Sequence, residues 1–282
     1  MESDRMLSLS EQIENIILQH GNRGMHRVQS SMESGYCRRA AQLLLDNKGV
    51  ILIGTGFPVS GSFESDGPIG AIALYRVLLY LDCHPVLVCG PPISKIMARG
   101  FLTYELPLAG WEQSRRVARH LLDELNPSLI VSVERPGMTA DGRYYNMHGQ
   151  DISASTAKFD LFLQYSDCPS IAFGDGGNEI GMGNVRDALA RLDVIPSVTT
   201  CDELVIATVS NWGVYGVIAI LCHQLKQDLF ALIDPAAIAG YLVANGCVDG
   251  ITTRPEPTED SFPISVGISI IQQLRQLVLP AK

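Results

Sequence analysis

A three-layer α/β/α sandwich on a mostly parallel sheet is the fold class this sequence predicts, on three observations. Short apolar runs, among them GVILI (49–53), HPVLVC (84–89), LIVSV (129–133) and ELVIAT (203–208), have the length and composition of buried strands. Helical stretches separate them, and strand–helix alternation is the pattern of a parallel sheet covered on both faces. Several runs pass straight into glycine-rich or polar loops, the geometry in which an α/β protein places a ligand at the carboxyl end of a strand. The sheet is therefore expected to be Rossmann-like, in a single domain spanning residues 1–282.

In chain order, residues 8–19 read as a helix, with Ser8 or Ser10 as cap and Ile13, Ile16 and Ile17 on one face. The turn HGNRG (20–24) follows, and its Arg23 reads equally as an anion contact or as an exposed loop arginine. A second helix covers 35–47. Strand 49–53 leads through a glycine loop into a helix over 69–81, and strand 84–89 ends at Gly90-Pro91-Pro92. A short helix (93–99), a strand near 101–106 and a long helix (111–125) come next. The Arg115, Arg116 and Arg119 spacing on that long helix fits a solvated face. After strand 129–133 come a long polar loop, a helix over 153–164 and the strand 171–173. Strand 203–208 runs into an apolar helix (214–225), with Asn211 placed to cap it. Helices over 234–245, closed by Gly246, and 264–279 complete the chain.

Composition bounds the function. With 46% hydrophobic and 18% charged residues the chain is globular rather than disordered. A net charge of −9 argues against general nucleic-acid binding, which needs a basic footprint. Seven scattered cysteines without a CxxC read as free thiols in a reducing compartment. Six histidines without zinc-type spacing argue against a His/Cys zinc site. The start of the chain carries acids and no apolar signal region, and no apolar run is long enough to span a membrane. A cytoplasmic protein is expected.

The chemistry-bearing stretch is PSIAFGDGGNEIGMG (169–183), a strand that breaks into five glycines interleaved with Asp175, Asn178 and Glu179. Glycines let backbone N–H groups approach a ligand, so Gly176 and Gly177, with Gly56 in the first strand's loop, are candidate substrate contacts. Glu64 and Asp66, two residues apart in a loop stiffened by Gly67-Pro68, read as metal or ammonium ligands, or as acids favoured beside a helix start. Glu134-Arg135 ends a strand: the arginine either clamps a carboxylate or pairs internally with the glutamate to fix the loop. Asp141, Arg143, Tyr144 and Asn146 add polar reach in the same loop. Asn211 is explained by capping alone and joins the site by its position. So many acids at one edge repel unless protonated or neutralised by a cation, and an all-oxygen set favours Mg²⁺ or Mn²⁺. The sequence shows no nucleotide or flavin fingerprint: GTGF lacks the GxGxxG spacing.

Five stretches together, GTGF…ESDGPIGA (54–71), ERPGMTADGRYYNMHGQDI (134–152), GDGGNEIGMGNV (174–185), VSNWGVY (209–215) and VDGITTRPEPTED (248–260), resemble the D-glutamate cyclase family. The similarity runs from about residue 22 to the end. The resemblance implies conversion of D-glutamate to 5-oxo-D-proline and water, on a small-molecule acidic substrate. Nucleic-acid and membrane partners are not expected, and a homodimer is compatible with the sequence. From residue type and position, Asp66, Asp175, Glu179 and Glu64 are expected at the metal. Glu134, Arg135, Asp175 and Glu179 are expected to carry the catalysis, and Gly56, Arg143, Gly176, Gly177, Asn178 and Asn211 to bind substrate. Two other readings fit the same residues: a metal-dependent phosphatase or other hydrolase, and a ligand-binding module that needs a partner domain.

Overall fold

The structure, a computed structural model, describes residues 2–21 and 23–279. In chain order the strands are β1 (Val50–Thr55), β2 (Pro58–Val59), β3 (Ser62–Phe63), β4 (His84–Cys89), β5 (Thr103–Glu105), β6 (Leu129–Val133), β7 (Ser170–Gly174), β8 (Glu203–Ile206), β9 (Thr258–Glu259) and β10 (Phe262–Pro263). Six of them form one sheet in the order β5-β4-β1-β6-β7-β8, every pair parallel. β2/β3 and β9/β10 are two-residue antiparallel hairpins outside it.

The strands are unbroken apolar runs because both faces of the sheet are covered. Ile51, Leu52, Ile53, Leu129, Ile130 and Val131 are fully buried. The helices Glu2–Ile17, Tyr36–Asp46, Pro68–Tyr80, Ser210–Leu225 and Ile264–Val278 pack on one another, and Trp111–Leu125 packs with Asp160–Tyr165. Right-handed crossovers to and from the central strands put these two groups on opposite faces, giving the three layers. Ser210–Leu225 is buried from Ser210 through Cys222, which explains why its sequence is apolar all round. Among the described residues no helix is long and apolar enough to cross a membrane.

The strand order matters for the site. From β1 the chain builds outward through β4 to β5, then returns to β6 on the other side and builds through β7 to β8. The direction reverses between β1 and β6, and a crevice opens there at the strands' carboxyl ends.

Two local expectations are corrected. The first helix begins at Glu2, so Ser8 and Ser10 do not cap it; the Ser10 hydroxyl donates to Glu14 instead (2.7 Å). The helix expected over 153–164 is a 3₁₀ turn, Ser153–Ser155, followed by Asp160–Tyr165. Arg135 takes the Ala157 carbonyl that a continuous helix would need for its own ladder. Phe159 meanwhile seats on β1 where Gly54 leaves room: a Cβ at Gly54 would clash with the Phe159 ring. Gly54→Ala is therefore expected to destabilise the fold by about 1–3 kcal/mol, read as a lower urea midpoint. An unchanged midpoint would mean that Phe159 is not seated on this strand.

Candidate active site at the carboxyl edge of the sheet

Four strand ends and one distant loop build the site. After β1, the β2/β3 hairpin carries the chain to Glu64, Ser65 and Asp66. After β6, Glu134 takes a left-handed conformation (φ 47°), which turns the chain sharply at the crevice. After β7 comes the glycine loop, and after β8 the first turn of the buried helix Ser210–Leu225. The loop 248–260 arrives from far along the chain, paired to the first loop through a Glu64–Val248 bridge. Its Asp249 accepts the N–H groups of Ile251, Thr252 and Ser261 and so holds its turn.

Two helix starts meet here and cap each other. Asp66 accepts the backbone N–H groups of Ser210 and Asn211 (2.8 Å each), at the start of Ser210–Leu225. Asn211 Oδ1 accepts those of Gly67 (3.0 Å) and Gly70 (2.7 Å), at the start of Pro68–Tyr80. The expectation that Asn211 caps its own helix is corrected: it lies inside that helix's first turn and caps a neighbouring one. Asn211 Nδ2 and Trp212 Nε1 both donate to Glu259 (2.8 and 2.7 Å).

Seven carboxylates, Glu64, Asp66, Glu134, Asp175, Glu179, Glu259 and Asp260, are buried at this edge. Arg23 is the guanidinium set among them, with Nη2 bonded to Asp175 (2.6 Å) and to Asp260. Asp175 Oδ2 also accepts from Ser210 N (3.2 Å), and the Ser210 hydroxyl donates to Glu134 Oε2 (2.6 Å). Glu179 folds back into its own loop, taking N–H bonds from Gly176 (2.9 Å) and Gly177 (2.7 Å). Ligand atoms of Asp66, Asp175 and Asp260 lie within 4.8 Å of one another, as do those of Glu134, Asp175 and Glu179. Asp175 belongs to both groups, and its Oδ1 is buried without a hydrogen-bond partner. An orphaned oxygen on the one carboxylate that both acidic groups share fits a hard divalent cation.

Burial is the largest cause raising these carboxyls, and their mutual repulsion adds to it. Glu64 and Glu134 are pushed well above the usual carboxylate range. Asp175 is also pushed well up although Arg23 opposes it, and Glu179 is raised against the Gly177 N–H. Asp66 rises to about 6 from 3.8, by burial and then Asp260; Glu259 rises to about 8 from 4.5, by burial against the donors Trp212 and Asn211.

A cavity of about 600 Å³ opens beside this cluster. Of the residues expected at the site, Glu64, Glu134, Asn178 and Glu179 line it, together with Arg23 and Asp260. Asp66 and Asp175 are buried behind that lining and reach it through Asp260 and Glu134. Gly176 lines an adjoining pocket of about 290 Å³, and Gly177 (φ 112°) serves the Glu179 turn.

Three expected contacts lie elsewhere. Arg135 neither faces the cavity nor pairs with Glu134; it donates to the carbonyls of Thr55 (3.3 Å), Gly56 (2.6 Å) and Ala157, tying the end of β1 to the following layer. Gly56 is the acceptor in that clamp. Arg143 is exposed and faces Asp151 (3.4 Å) and Asp141 (4.0 Å). Sequence reasoning left Asp260, Glu259 and Ser210 off the list. The first two sit in a polar stretch that follows a helix, with no strand end to flag it, and Ser210 carried no signal beyond its place beside Asn211.

Two predictions follow from this geometry. Arg135→Met strands buried carbonyls and is expected to cost about 2–4 kcal/mol in urea unfolding; a loss of turnover at unchanged stability would return Arg135 to the chemistry. Raised carboxyls bind protons in the folded state that they lack when unfolded, between pH about 4 and 8 for Asp66 and Glu259. Their protonation stabilises at low pH, and that contribution is lost as pH rises through the folded values. The Tm of the metal-free protein should therefore fall from pH 5 to pH 8, and Mn²⁺ should raise Tm more at pH 8 than at pH 5. An equal increment at both would show that these carboxyls do not govern the site's charge.

With the geometry in place, comparison with known proteins places the chain. The family model described as D-glutamate cyclase-like, C-terminal, matches residues 13–275. The human (Homo sapiens) protein "D-glutamate cyclase, mitochondrial" is 32% identical over 252 aligned positions, which cover 78% of this chain. The match spans 40% of the human protein's length. A solved glycosyltransferase from Rickettsia africae ESF-5 shares 14% identity over 57% of this chain and 42% of its own, at a TM-score of 0.34, a partial likeness with no bearing on function. By its motifs and by the extent of the match, this chain belongs to the D-glutamate cyclase-like, C-terminal family.

Proposed function

We propose that the chain is a lyase of the D-glutamate cyclase type, closing D-glutamate to 5-oxo-D-proline with loss of water. The observation that carries this reading is the cavity beside the carboxylate cluster, with Arg23 on its lining, in a chain of this family. Ring closure needs an amine stripped of its proton, a γ-carboxylate relieved of its charge, and a proton for the departing water.

Glu134 is the group best placed to move the proton. It lines the cavity, the Ser210 hydroxyl fixes one of its oxygens, and burial raises its proton affinity well above the usual range. It accepts a proton from the substrate ammonium and returns it to the leaving oxygen, and the second N–H proton given up on ring closure goes to the same oxygen, so that water departs. Arg23 meets a substrate carboxylate, and the N–H of Gly176 and Gly177 hold Glu179 in place. Asp66, Asp175 and Asp260, whose ligand atoms lie within 4.8 Å of one another, would hold a divalent ion and leave Glu134 to the proton. Mn²⁺ or Mg²⁺ held there would supply charge neutralisation and Lewis acidity for the γ-carboxylate. A reducing, cytoplasm-like location belongs to the same reading, supported by seven unpaired cysteines.

The test is turnover of D- and L-glutamate by the purified chain, with and without Mn²⁺ or Mg²⁺, following 5-oxoproline. Metal-dependent product from the D-isomer is expected. Asp175→Asn should abolish metal binding and lower turnover on the order of 100-fold or more while the circular dichroism spectrum is kept. Unchanged metal affinity would remove Asp175 from the site. Turnover of phosphate esters but not glutamate would replace this reading with a hydrolase. Tight ligand binding without turnover would replace it with a module that depends on the remainder of a longer protein.

A further inference from the structure

The charge on the cavity lining is uneven. Its acids follow β6 and β7 or come from the loops holding Glu64 and Asp260. The lining contributed after β1, β4 and β5, up to Glu64, consists of residues 57–62, Pro91, Pro92 and Leu108, none of them charged. Phe57, Pro58, Val59 and the two prolines give that half an apolar surface, and Leu108 stands 44% exposed at its edge. The whole cavity, about 600 Å³, has room for about twenty waters at liquid density and is the size of sites that hold drug-sized ligands. An amino acid of ten non-hydrogen atoms is smaller than a drug-sized ligand and leaves part of this lining free.

Charge points the same way. Free D-glutamate carries a net negative charge, whereas the one described guanidinium on the lining, Arg23, is already held by Asp175 and Asp260. A glutamate whose γ-carboxylate is masked as an amide or ester is neutral overall, and its γ-carbonyl is a better electrophile than a carboxylate. We propose that this site, on the cyclase reading above, takes D-glutamate bearing a neutral, partly apolar γ-substituent, which lies along the Phe57–Leu108 half of the cavity.

The chemistry balances without a further reactant. The α-amine nitrogen forms a bond to the γ-carbonyl carbon, and the bond from that carbon to the substituent's nitrogen or oxygen breaks. The nitrogen gives up two protons in becoming the lactam N–H: the first, taken by the cavity's carboxylate, goes to the departing amine or alcohol, which leaves in place of water, and the second ends on that amine as its ammonium or, for an alcohol, in solvent; 5-oxo-D-proline remains. The acidic half, with Glu134 and Arg23, handles the amine and the α-carboxylate. The uncharged half selects the substituent by apolar contact.

The test uses the full chain loaded with Mn²⁺ and four compounds: D-glutamate, its γ-methylamide, its γ-butylamide, and the L-isomer of the butylamide. Both 5-oxoproline and released amine are quantified. The expected result is equimolar 5-oxo-D-proline and butylamine, with kcat/KM for the D-butylamide at least about tenfold above the methylamide and above D-glutamate. Leu108→Asp should narrow the butylamide-to-methylamide ratio. Faster turnover of D-glutamate than of either amide would overturn this inference and leave the cyclase reading standing. Release of butylamine with D-glutamate instead of 5-oxoproline, or equal rates for the two amides, would also overturn it. No 5-oxoproline from any compound would overturn the cyclase reading itself, and this inference with it.

Discussion

Asp66 and Asn211 each cap the helix that the other begins or abuts, and the rest of the site is fixed by that exchange. Helix starts present unpaired N–H groups and a partial positive charge. Bringing two of them together at a crevice makes a place where carboxylates are tolerated. Asn211 is neutral, so it can accept from one helix while its amide donates to Glu259, and it links a second acid to the same point. Ser210, in the same turn, extends the link to Asp175 through its N–H and to Glu134 through its hydroxyl. Removing any one member leaves buried donors or acceptors without partners, which is why this small polar network is rigid.

What those helix starts do not supply is full charge. Arg23 bonds Asp175 and Asp260, yet the other carboxyls are held above their ordinary range by burial and by one another. Such a site is a store of unmet electrostatic demand: burial and repulsion favour protonation at low pH, and a divalent cation would answer the same demand at higher pH. The orphaned Asp175 oxygen is the most local sign of it. The same demand disfavours an additional negative charge on a substrate, so charge balance and cavity shape bear on one chemical question.

The arginines show how position in the sequence misleads about direction in space. Arg135 follows a strand end beside a glutamate, where a substrate clamp is the natural expectation, but the left-handed turn at Glu134 sends the two side chains apart. The guanidinium then finds backbone carbonyls of Thr55, Gly56 and Ala157. Arg23, in a turn between helices and remote from any strand end, supplies the cation instead. Nothing in the residues around either one distinguishes these outcomes, because both are arginines in polar loops.

The apolar strand runs, their alternation with helices and the glycine loop after β7 were enough to determine a parallel three-layer fold, and they placed the candidate site at the carboxyl edge. Those features are local: burial on both faces dictates an apolar strand, and a glycine loop is written in contiguous residues. Glu64, Glu134, Asn178 and Glu179 were legible for the same reason, since each lies within a few residues of a strand end or hairpin. Tertiary structure alone decided the partners. Asp66 meets Asn211 across 145 positions, and Arg23 meets Asp260 across 237. Which acids face the guanidinium, which helix Asn211 caps and which half of the cavity stays uncharged depend on the strand order β5-β4-β1-β6-β7-β8. That order is set by packing between distant segments, and no short stretch of sequence encodes it.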